Sequence, residues 1–256
     1  MTESGDQNSL AARRILLIRP KRQDDQLISM LENTGAQVTH TPVMSIEAVT
    51  ENQGNTSQNI KSQILELDNF HKAIFVSGNA AELAVEWIDQ YWPMLPVGID
   101  YFSVGERTAE LLKQVGIDAL CPSGRQNSEE LLQLPQLQQL ENQRIIIFRG
   151  CGGREILAGT LIERGARVDY CELYRRVIDS QQLALAQQQQ ADCLIAHSGE
   201  LIQAMGEAEG TLFADTAVVV PSERVATIAK HLGYRKVICA ENALPEAMLA
   251  AVEKVF

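Results

Sequence analysis

Residues 144–176 read RIIIFRGCGGREILAGTLIERGARVDYCELYRR, and most of the predicted fold follows from this stretch. The apolar, β-branched run at 145–148 predicts a strand that is buried on both faces of a sheet. The glycine-rich segment 150–153 predicts a sharp turn, because glycine readily adopts the positive φ angles that such turns use. Apolar residues then recur at helical spacing from about Arg154. The stretch therefore predicts a strand, a glycine loop and a helix, followed by a long extended segment over 166–177.

The same unit predicts a site for an anion. A loop that leads from a strand into a helix presents free backbone N–H groups, and the positive end of the helix dipole, at the C-terminal edge of the sheet. Residues 144–176 contain seven arginines and four acidic residues. This segment is therefore basic within an acidic chain, which favours an anionic ligand at the loop.

Composition narrows the class of protein. The 256 residues carry a net charge of −11, which argues against nucleic acid or an anionic membrane as the main partner. No apolar run approaches membrane-spanning length, and residues 1–14 lack the apolar core of a signal peptide. Five scattered cysteines without a Cys-x-x-Cys motif, and four histidines without ligand spacing, predict a reduced, metal-free protein. We therefore expect a cytoplasmic protein with no metal site.

Two segments of the chain repeat the same pattern. A strand that ends in a small polar turn occurs at 73–79 and again at 193–199, each time followed by a helical pattern. A second strand and turn at 101–109 has its counterpart at 218–226. Two copies of a β-α-β-α arrangement imply two α/β domains with parallel sheets.

The order of these segments predicts that one domain is inserted into the other. The first strand and helix, at 15–33, have no nearby partners, and the C-terminal set, at 190–256, lacks an opening strand. We therefore predict two doubly wound, parallel-sheet, flavodoxin-like α/β domains joined by a two-stranded crossing. The discontinuous domain comprises residues 1–41 and 175–256, and the inserted domain comprises residues 42–174. The extended segments 36–44 and 166–177 form the crossings.

Common nucleotide and hydrolase motifs are missing. The pattern at 150–153 begins a G-x-G-x-x-G fingerprint, but its third glycine would fall at Glu155, so NAD and FAD are not predicted. The sequence contains no P-loop, and neither Ser77 nor Ser198 stands in a G-x-S-x-G elbow. Either serine can instead be an N-cap of the helix that follows it.

In a doubly wound sheet, ligands bind outside the C-terminal ends of the strands. The residues predicted at those ends offer hydroxyls, amides, glycine backbone and two arginines, and they include no metal ligand, nucleophile or strong base. This favours binding and positioning of an anion over covalent catalysis. Tyr174, beside Arg175 and Arg176 in the crossing, is either a phenol that faces the ligand or an amphipathic hinge residue with its hydroxyl in water.

Three loops carry a resemblance to a known family. The segment FRGCGGRE at 148–155, with Tyr174 beyond it, is the most specific part, and SGNA at 77–80 and GERTA at 105–109 fit two further loops. With these residues, nearly the whole chain resembles the uroporphyrinogen-III synthase family. The resemblance implies two α/β domains joined by a two-stranded ladder, with the active site in the cleft between them.

The resemblance also implies a reaction. Enzymes of this family cyclise the linear tetrapyrrole hydroxymethylbilane, with inversion of its last ring, loss of water and no cofactor. The family's tyrosine in the crossing strand corresponds to Tyr174, and its loop threonine corresponds to Thr108. One loop departs from the family pattern Gly-x-x-Thr-Ala, because it reads SERVA at 222–226. Val225 stands at the threonine position, and Ser222 offers a hydroxyl instead.

We therefore expect a monomeric lyase of tetrapyrrole biosynthesis, in transient contact with the preceding enzyme of its pathway. Tyr174 is the predicted catalytic residue. The predicted substrate-binding residues are Arg19, Ser77, Gly78, Asn79, Thr108, Arg149, Gly150, Arg154, Ser198 and Ser222. The alternative from another class is a two-domain protein that binds or senses a small anion without turnover.

Overall fold

The computed structural model describes residues 10–21, 25–50, 54–123, 127–153 and 155–256. The chain divides into two compact units. Unit 1 contains Met1–Ile46 and Val177–Phe256, and unit 2 contains Glu47–Arg176. The inserted domain was predicted to begin at residue 42 and end at residue 174. Unit 2 begins at residue 47 and ends at residue 176. The assignment of a discontinuous domain and an inserted domain stays a prediction.

The described chain contains eleven strands. They are β1 (Arg14–Leu17), β2 (Gln37–His40), β3 (Met44–Ala48), β4 (Lys72–Phe75), β5 (Asp100–Ser103), β6 (Ala119–Leu120), β7 (Arg144–Gly150), β8 (Arg167–Ile178), β9 (Cys193–Ile195), β10 (Ala217–Val220) and β11 (Lys236–Cys239).

Ten α-helices connect these strands in the described residues. They are α1 (Gln26–Asn33), α2 (Asn55–Leu65), α3 (Gly78–Tyr91), α4 (Glu106–Gln114), α5 (Ser128–Leu131), α6 (Ile156–Glu163), α7 (Ser180–Gln188), α8 (Gly199–Met205), α9 (Glu223–His231) and α10 (Pro245–Glu253). Short 3₁₀ helices lie at Leu67–Asn69 and Pro135–Leu137. None of the described helices is long and apolar enough to cross a membrane.

Unit 1 is built on a five-stranded parallel sheet in the order β2-β1-β9-β10-β11. Numbered within the unit, this is 2-1-3-4-5, the flavodoxin-like order. Side chains of β1 alternate between two cores, with Ile15 and Leu17 on one face and Leu16 and Ile18 on the other. The order of the strands reverses between β1 and β9, so the C-terminal ends of these two strands form the switch point where such sheets bind ligands.

Unit 2 is built on a six-stranded sheet in the order β3-β8-β7-β4-β5-β6. The five strands from β8 to β6 are parallel. Both faces of β7 are buried: Ile145 and Ile147 join one core, while Phe148 stacks on Phe75 of β4 at 4.9 Å between ring centroids. The strand order reverses between β4 and β7, so this sheet has its switch point there. Parallel sheets in both units confirm the predicted fold class.

The chain passes between the units in β3 and β8, which are neighbours in one sheet. Val49 N–H donates to Leu173 O, and Asp179 N–H donates to Val43 O. Since these two bonds run in opposite sequence order, the two strands are antiparallel. The predicted extended segment 36–44 is not continuous, because β2 ends at residue 40 and β3 begins at residue 44. Proline at position 42 explains the break, since it has no N–H to give a sheet.

Candidate active site

The C-terminal edge of the unit 2 sheet encloses a cavity of about 320 Å³. Its polar lining comes from the glycine loop after β7, from β8 and from the segment before α5. The lining includes Asn127, Arg149, Gly150, Gly152, Tyr170 and Arg176. Two arginines and several loop positions therefore border one concave surface, and its use as an anion site stays a prediction.

Tyr174 lies beside this loop and is 2% exposed. Its hydroxyl lies 3.1 Å from Ser77 Oγ, so the turn after β4 and the middle of β8 bring these two predicted residues together. Gly150 is opposite Tyr174 in the ladder, and a Cβ at position 150 would lie 2.4 Å from Tyr174 Cε2. Glycine is thus required where the phenol ring packs. The interpretation of Tyr174 as a hinge residue with its hydroxyl in water does not fit this burial.

Ser77 is also the N-cap of α3, which was the alternative role predicted for this serine. Its Oγ accepts a hydrogen bond from Ala80 N–H at 3.2 Å and so caps α3. Gly78 and Asn79 form the first turn of that helix, and a Cβ at Gly78 would lie 3.2 Å from Leu111 Cδ1. The cap fixes the hydroxyl that contacts the phenol, because the same oxygen serves both contacts.

Arg149 is buried, and its guanidinium holds the glycine loop in place. Its Nε donates to Gly150 O at 3.2 Å, and its Nη2 donates to Gly152 O. The positive φ angles of Gly152 and Gly153, 69° and 103°, let the loop fold around this side chain. A Cβ at Gly153 would lie 2.8 Å from Nη2, so the loop packs directly on the guanidinium.

Arg149 also contacts Glu155 and Tyr170, which the sequence analysis did not predict as site residues. Its Nη1 lies 3.4 Å from Glu155 Oε1, and its Cζ lies 4.4 Å from the ring centroid of Tyr170. The Tyr170 hydroxyl donates to the other Glu155 oxygen. Burial, and then the hydrogen bond to Glu155, raise the pKa of Tyr170 to about 12. Glu172, which follows on β8, accepts a hydrogen bond from Gly152 N–H at 3.2 Å.

Two other predicted residues of unit 2 are placed differently. Thr108 lies in the first turn of α4 and is buried, at 6% exposure. Its N–H donates to Gly105 O at 3.1 Å. Arg154 lies outside the described residues, so its role in substrate binding stays a prediction.

In unit 1, Arg19 stands at the switch point and is 2% exposed. Its Nε donates to Asp25 Oδ2 at 3.0 Å, and its Nη2 donates to the other carboxylate oxygen. Its Nη1 lies 2.9 Å from His197 Nε2. Because a guanidinium has no acceptor, the ring nitrogen is the acceptor in this contact. His40 Nε2 in turn donates to the carbonyl oxygen of Arg19 at 2.8 Å.

The two predicted serines of unit 1 differ in how they meet their helices. Ser198 caps α8, since its Oγ accepts from Leu201 N–H at 3.3 Å. Ser222 stands at the N-cap position of α9, but its side chain makes no cap hydrogen bond within the described residues. Val225, in the first turn of the same helix, is 2% exposed and belongs to the core.

The chain matches a family model described as Uroporphyrinogen-III synthase HemD over residues 14–250. The chain belongs to the uroporphyrinogen-III synthase family. The uroporphyrinogen-III synthase of Escherichia coli (strain K12) is 32% identical over 252 residues, covering 93% of this chain and 99% of that protein. The protein of the same name from Salmonella typhimurium is 31% identical over 249 residues, covering 93% of this chain and 99% of the relative.

Solved structures of uroporphyrinogen III synthases have the same fold. A mutant of the protein from the extremely thermophilic bacterium Thermus thermophilus superposes with a TM-score of 0.64 at 16% identity, over 95% of this chain and 98% of that one. The Helicobacter pylori 26695 protein gives 0.63 at 14% identity, over 95% of this chain and all of that one. At these identities the likeness supports the two-domain α/β fold and no individual site residue.

Val225, which the resemblance aligns with a threonine of the family pattern, has an apolar environment. The side chain of Val225 packs in the core that also contains Ala226 and Ala229 of α9. A threonine there would have to bury a hydroxyl in apolar surroundings. Ser222, which offers a hydroxyl at the start of that helix, has a partly exposed side chain.

The described residues contain no cluster of three or more histidine, cysteine, aspartate or glutamate side chains arranged to hold a metal ion. All five cysteines are free. Burial raises the pKa of the Cys193 thiol to about 12 and that of Cys171 further, so neither is a thiolate at neutral pH. Independence from cofactors stays a prediction.

Proposed function

We propose that this chain cyclises hydroxymethylbilane to uroporphyrinogen III, with inversion of ring D and loss of water, in tetrapyrrole and haem biosynthesis. Its family consists of cyclising lyases of this kind. The observation that carries the proposal is the match to the Escherichia coli synthase along nearly the full length of both chains. The grouping of Ser77, Gly150 and Tyr174 at one sheet edge supports it.

The substrate sets two chemical demands. It carries eight carboxylates on four pyrroles, which suits a binding surface with arginines and loop N–H groups. Loss of hydroxide from the terminal carbon needs a proton donor but no enzyme nucleophile, and it leaves a reactive azafulvene. Since spontaneous ring closure gives the uninverted isomer, the main task of the enzyme is to select one geometry of closure.

We assign the proton or hydrogen-bond donor to Tyr174. The Ser77 hydroxyl orients the phenol at 3.1 Å, and Gly150 leaves room for its ring. Substrate contacts are proposed for Ser77, Gly78, Asn79, Thr108, Arg149, Gly150 and Arg154 in unit 2 and for Ser198 and Ser222 in unit 1. Because the Arg19 guanidinium already binds Asp25 and His197, we propose that it acts by positioning this edge.

Three further proposals concern the setting of the reaction. The net charge of −11 and the free cysteines support a cytoplasmic, monomeric protein. A transient contact with the enzyme that supplies the bilane would shorten the time available for spontaneous closure. Copurification, or a rate that rises when both enzymes are present, would test that contact.

The isomer ratio of the product tests the proposed function. Purified protein is mixed with freshly made hydroxymethylbilane, and the products are oxidised and separated into inverted and uninverted uroporphyrins. The inverted isomer should dominate with native protein, whereas the uninverted isomer should dominate with heat-denatured protein. A small-anion binding or sensory protein would bind an octacarboxylate porphyrin and leave the ratio as in buffer, and that result would overturn the proposal.

The Michaelis constant should rise with salt although the protein is acidic. Arg149 and Arg176 border the cavity, so attraction to substrate carboxylates is local and screened by ions. We expect KM to rise about three- to tenfold between roughly 0.05 and 0.5 M salt, with kcat changing less than about twofold. An osmolyte such as sucrose at equal osmolality is the control. A KM independent of salt would contradict a cationic binding surface.

A further inference from the structure

Glu155 is bound by two donors that converge on its carboxylate. Arg149 Nη1 lies 3.4 Å from Oε1, and the Tyr170 hydroxyl donates to Oε2. The donors come from β7 and β8, whereas Glu155 precedes α6. A carboxylate held by one guanidinium nitrogen and one phenol is a complete binding arrangement for a carboxylic acid side arm.

The Arg149 guanidinium has contacts besides the one to Glu155. The Arg149 guanidinium also donates to Gly150 O and Gly152 O and lies over the Tyr170 ring at 4.4 Å. Both Arg149 and Tyr170 line the 320 Å³ cavity. The donor pair is therefore preorganised at a concave surface with room for part of a ligand.

The side chain of Glu155, the acceptor, is much more exposed than that of its donor Arg149. The Glu155 side chain is 70% exposed, whereas the Arg149 side chain is 7% exposed. An ion pair with such an exposed carboxylate contributes little, because Glu155 recovers its hydration when it leaves. The buried guanidinium loses more if no anion takes its place. The Tyr170 hydroxyl remains a donor at neutral pH, in keeping with its raised pKa.

We propose that Arg149 and Tyr170 form a carboxylate subsite, which Glu155 occupies in this structure and which an acid side arm of the substrate takes over. Glu155 then competes with the substrate from within the chain. This inference rests on the proposed function, because it takes the ligand to be the octacarboxylate bilane. It adds Tyr170 as a binding residue and gives Glu155 an opposing role.

Two substitutions separate the donor from the competitor. Glu155→Gln weakens the internal acceptor, so KM should fall about three- to tenfold, with kcat within about twofold of wild type. Tyr170→Phe removes one donor and should raise KM about three- to tenfold. Glu163→Gln is the matched control, because it removes the same charge from the exposed C-terminal end of α6 and should change neither constant.

A binding measurement without turnover distinguishes this subsite from a general effect on activity. Fluorescence titration with uroporphyrin III, an octacarboxylate, should give a lower Kd for Glu155→Gln and a higher Kd for Tyr170→Phe, in parallel with KM. Glu155→Asp, which keeps the charge but shortens the side chain, should also lower Kd. It provides a second variant if Glu155→Gln does not fold.

Several outcomes would overturn the inference. Unchanged or raised KM and Kd in folded Glu155→Gln would mean that its carboxylate does not compete with ligand. An unchanged Kd in folded Tyr170→Phe would remove the phenol from the subsite, and an equal effect of Glu163→Gln would assign the change to net charge. Failure of the proposed function looks different, since wild-type protein would then leave the isomer ratio as in buffer.

Discussion

Asp25→Ala is expected to lower the free energy of unfolding by about 3–5 kcal/mol. Arg19 is 2% exposed, and both oxygens of Asp25 bind its guanidinium. Removing the carboxylate leaves a buried guanidinium whose other described side-chain partner, His197, supplies no negative charge. The substitution also removes the N-cap of α1, which is worth about 1 kcal/mol. Urea denaturation of the purified variant measures the change.

Asp179→Ala provides the control for the lost cap. Asp179 caps α7 by accepting from the N–H groups of Gln181 and Gln182, and it is exposed. This variant should lose only about 1 kcal/mol. Combining Asp25→Ala with Arg19→Met removes both charges and should recover much of the stability. Equal losses in the two aspartate variants would contradict a buried ion pair at Arg19.

Tyr174→Phe should slow formation of the inverted isomer by between about tenfold and a few hundredfold. A positioning hydrogen bond alone is worth about 0.5–1.5 kcal/mol, which corresponds to roughly tenfold. A true general acid contributes more, about 10² to 10⁴ in rate. Our range lies between these limits, because substrate carboxylic acids or water can supply part of the proton. The residual product should still be the inverted isomer, since Arg149 and the glycine loop remain.

The rate is measured with correction for spontaneous closure, in variants shown to be folded. Tyr234→Phe is the matched control, because Tyr234 is a buried tyrosine of unit 1 whose hydroxyl donates to Gly206 O at 3.2 Å. It should lose similar stability without losing rate. A loss of less than about threefold in Tyr174→Phe would remove its hydroxyl from the chemistry and leave a packing role against Gly150.

Local sequence patterns predicted the elements that depend on nearby residues. The run at 145–148 is part of β7, and the glycine loop and α6 follow it as expected. The helix begins at Ile156, later than the predicted Arg154, and the positive φ angles of Gly152 and Gly153 are not helical. The repeated strand-and-turn segments likewise became β4 with β9 and β5 with β10.

The partners of the charged residues could not be read from those patterns. Arg19 meets His197 across 178 positions, and Tyr170 meets Glu155 across 15. Such contacts depend on which strands are neighbours in the sheet and on side-chain rotamers, and neither leaves a periodic signal. Arg149 was predicted as a cation for the ligand, yet most of its donors bind its own loop. An aspartate before an apolar helical run is a recognisable cap, but its pairing with Arg19 is not.

The strand pairing of unit 1 has a consequence for the order in which a nascent chain can fold. Ile15 pairs with Cys193 in the completed sheet, so β1 meets one of its neighbours only after the whole of Glu47–Arg176 has been synthesised. At a translation rate of roughly 5–20 residues per second, this delay is on the order of 10–30 s. During that interval the apolar strand β1 has an open edge, and by its end all strands of the unit 2 sheet have been synthesised, because β8 ends at Ile178. Ribosome-bound chains therefore present one unpaired edge of β1 until β9 has been synthesised.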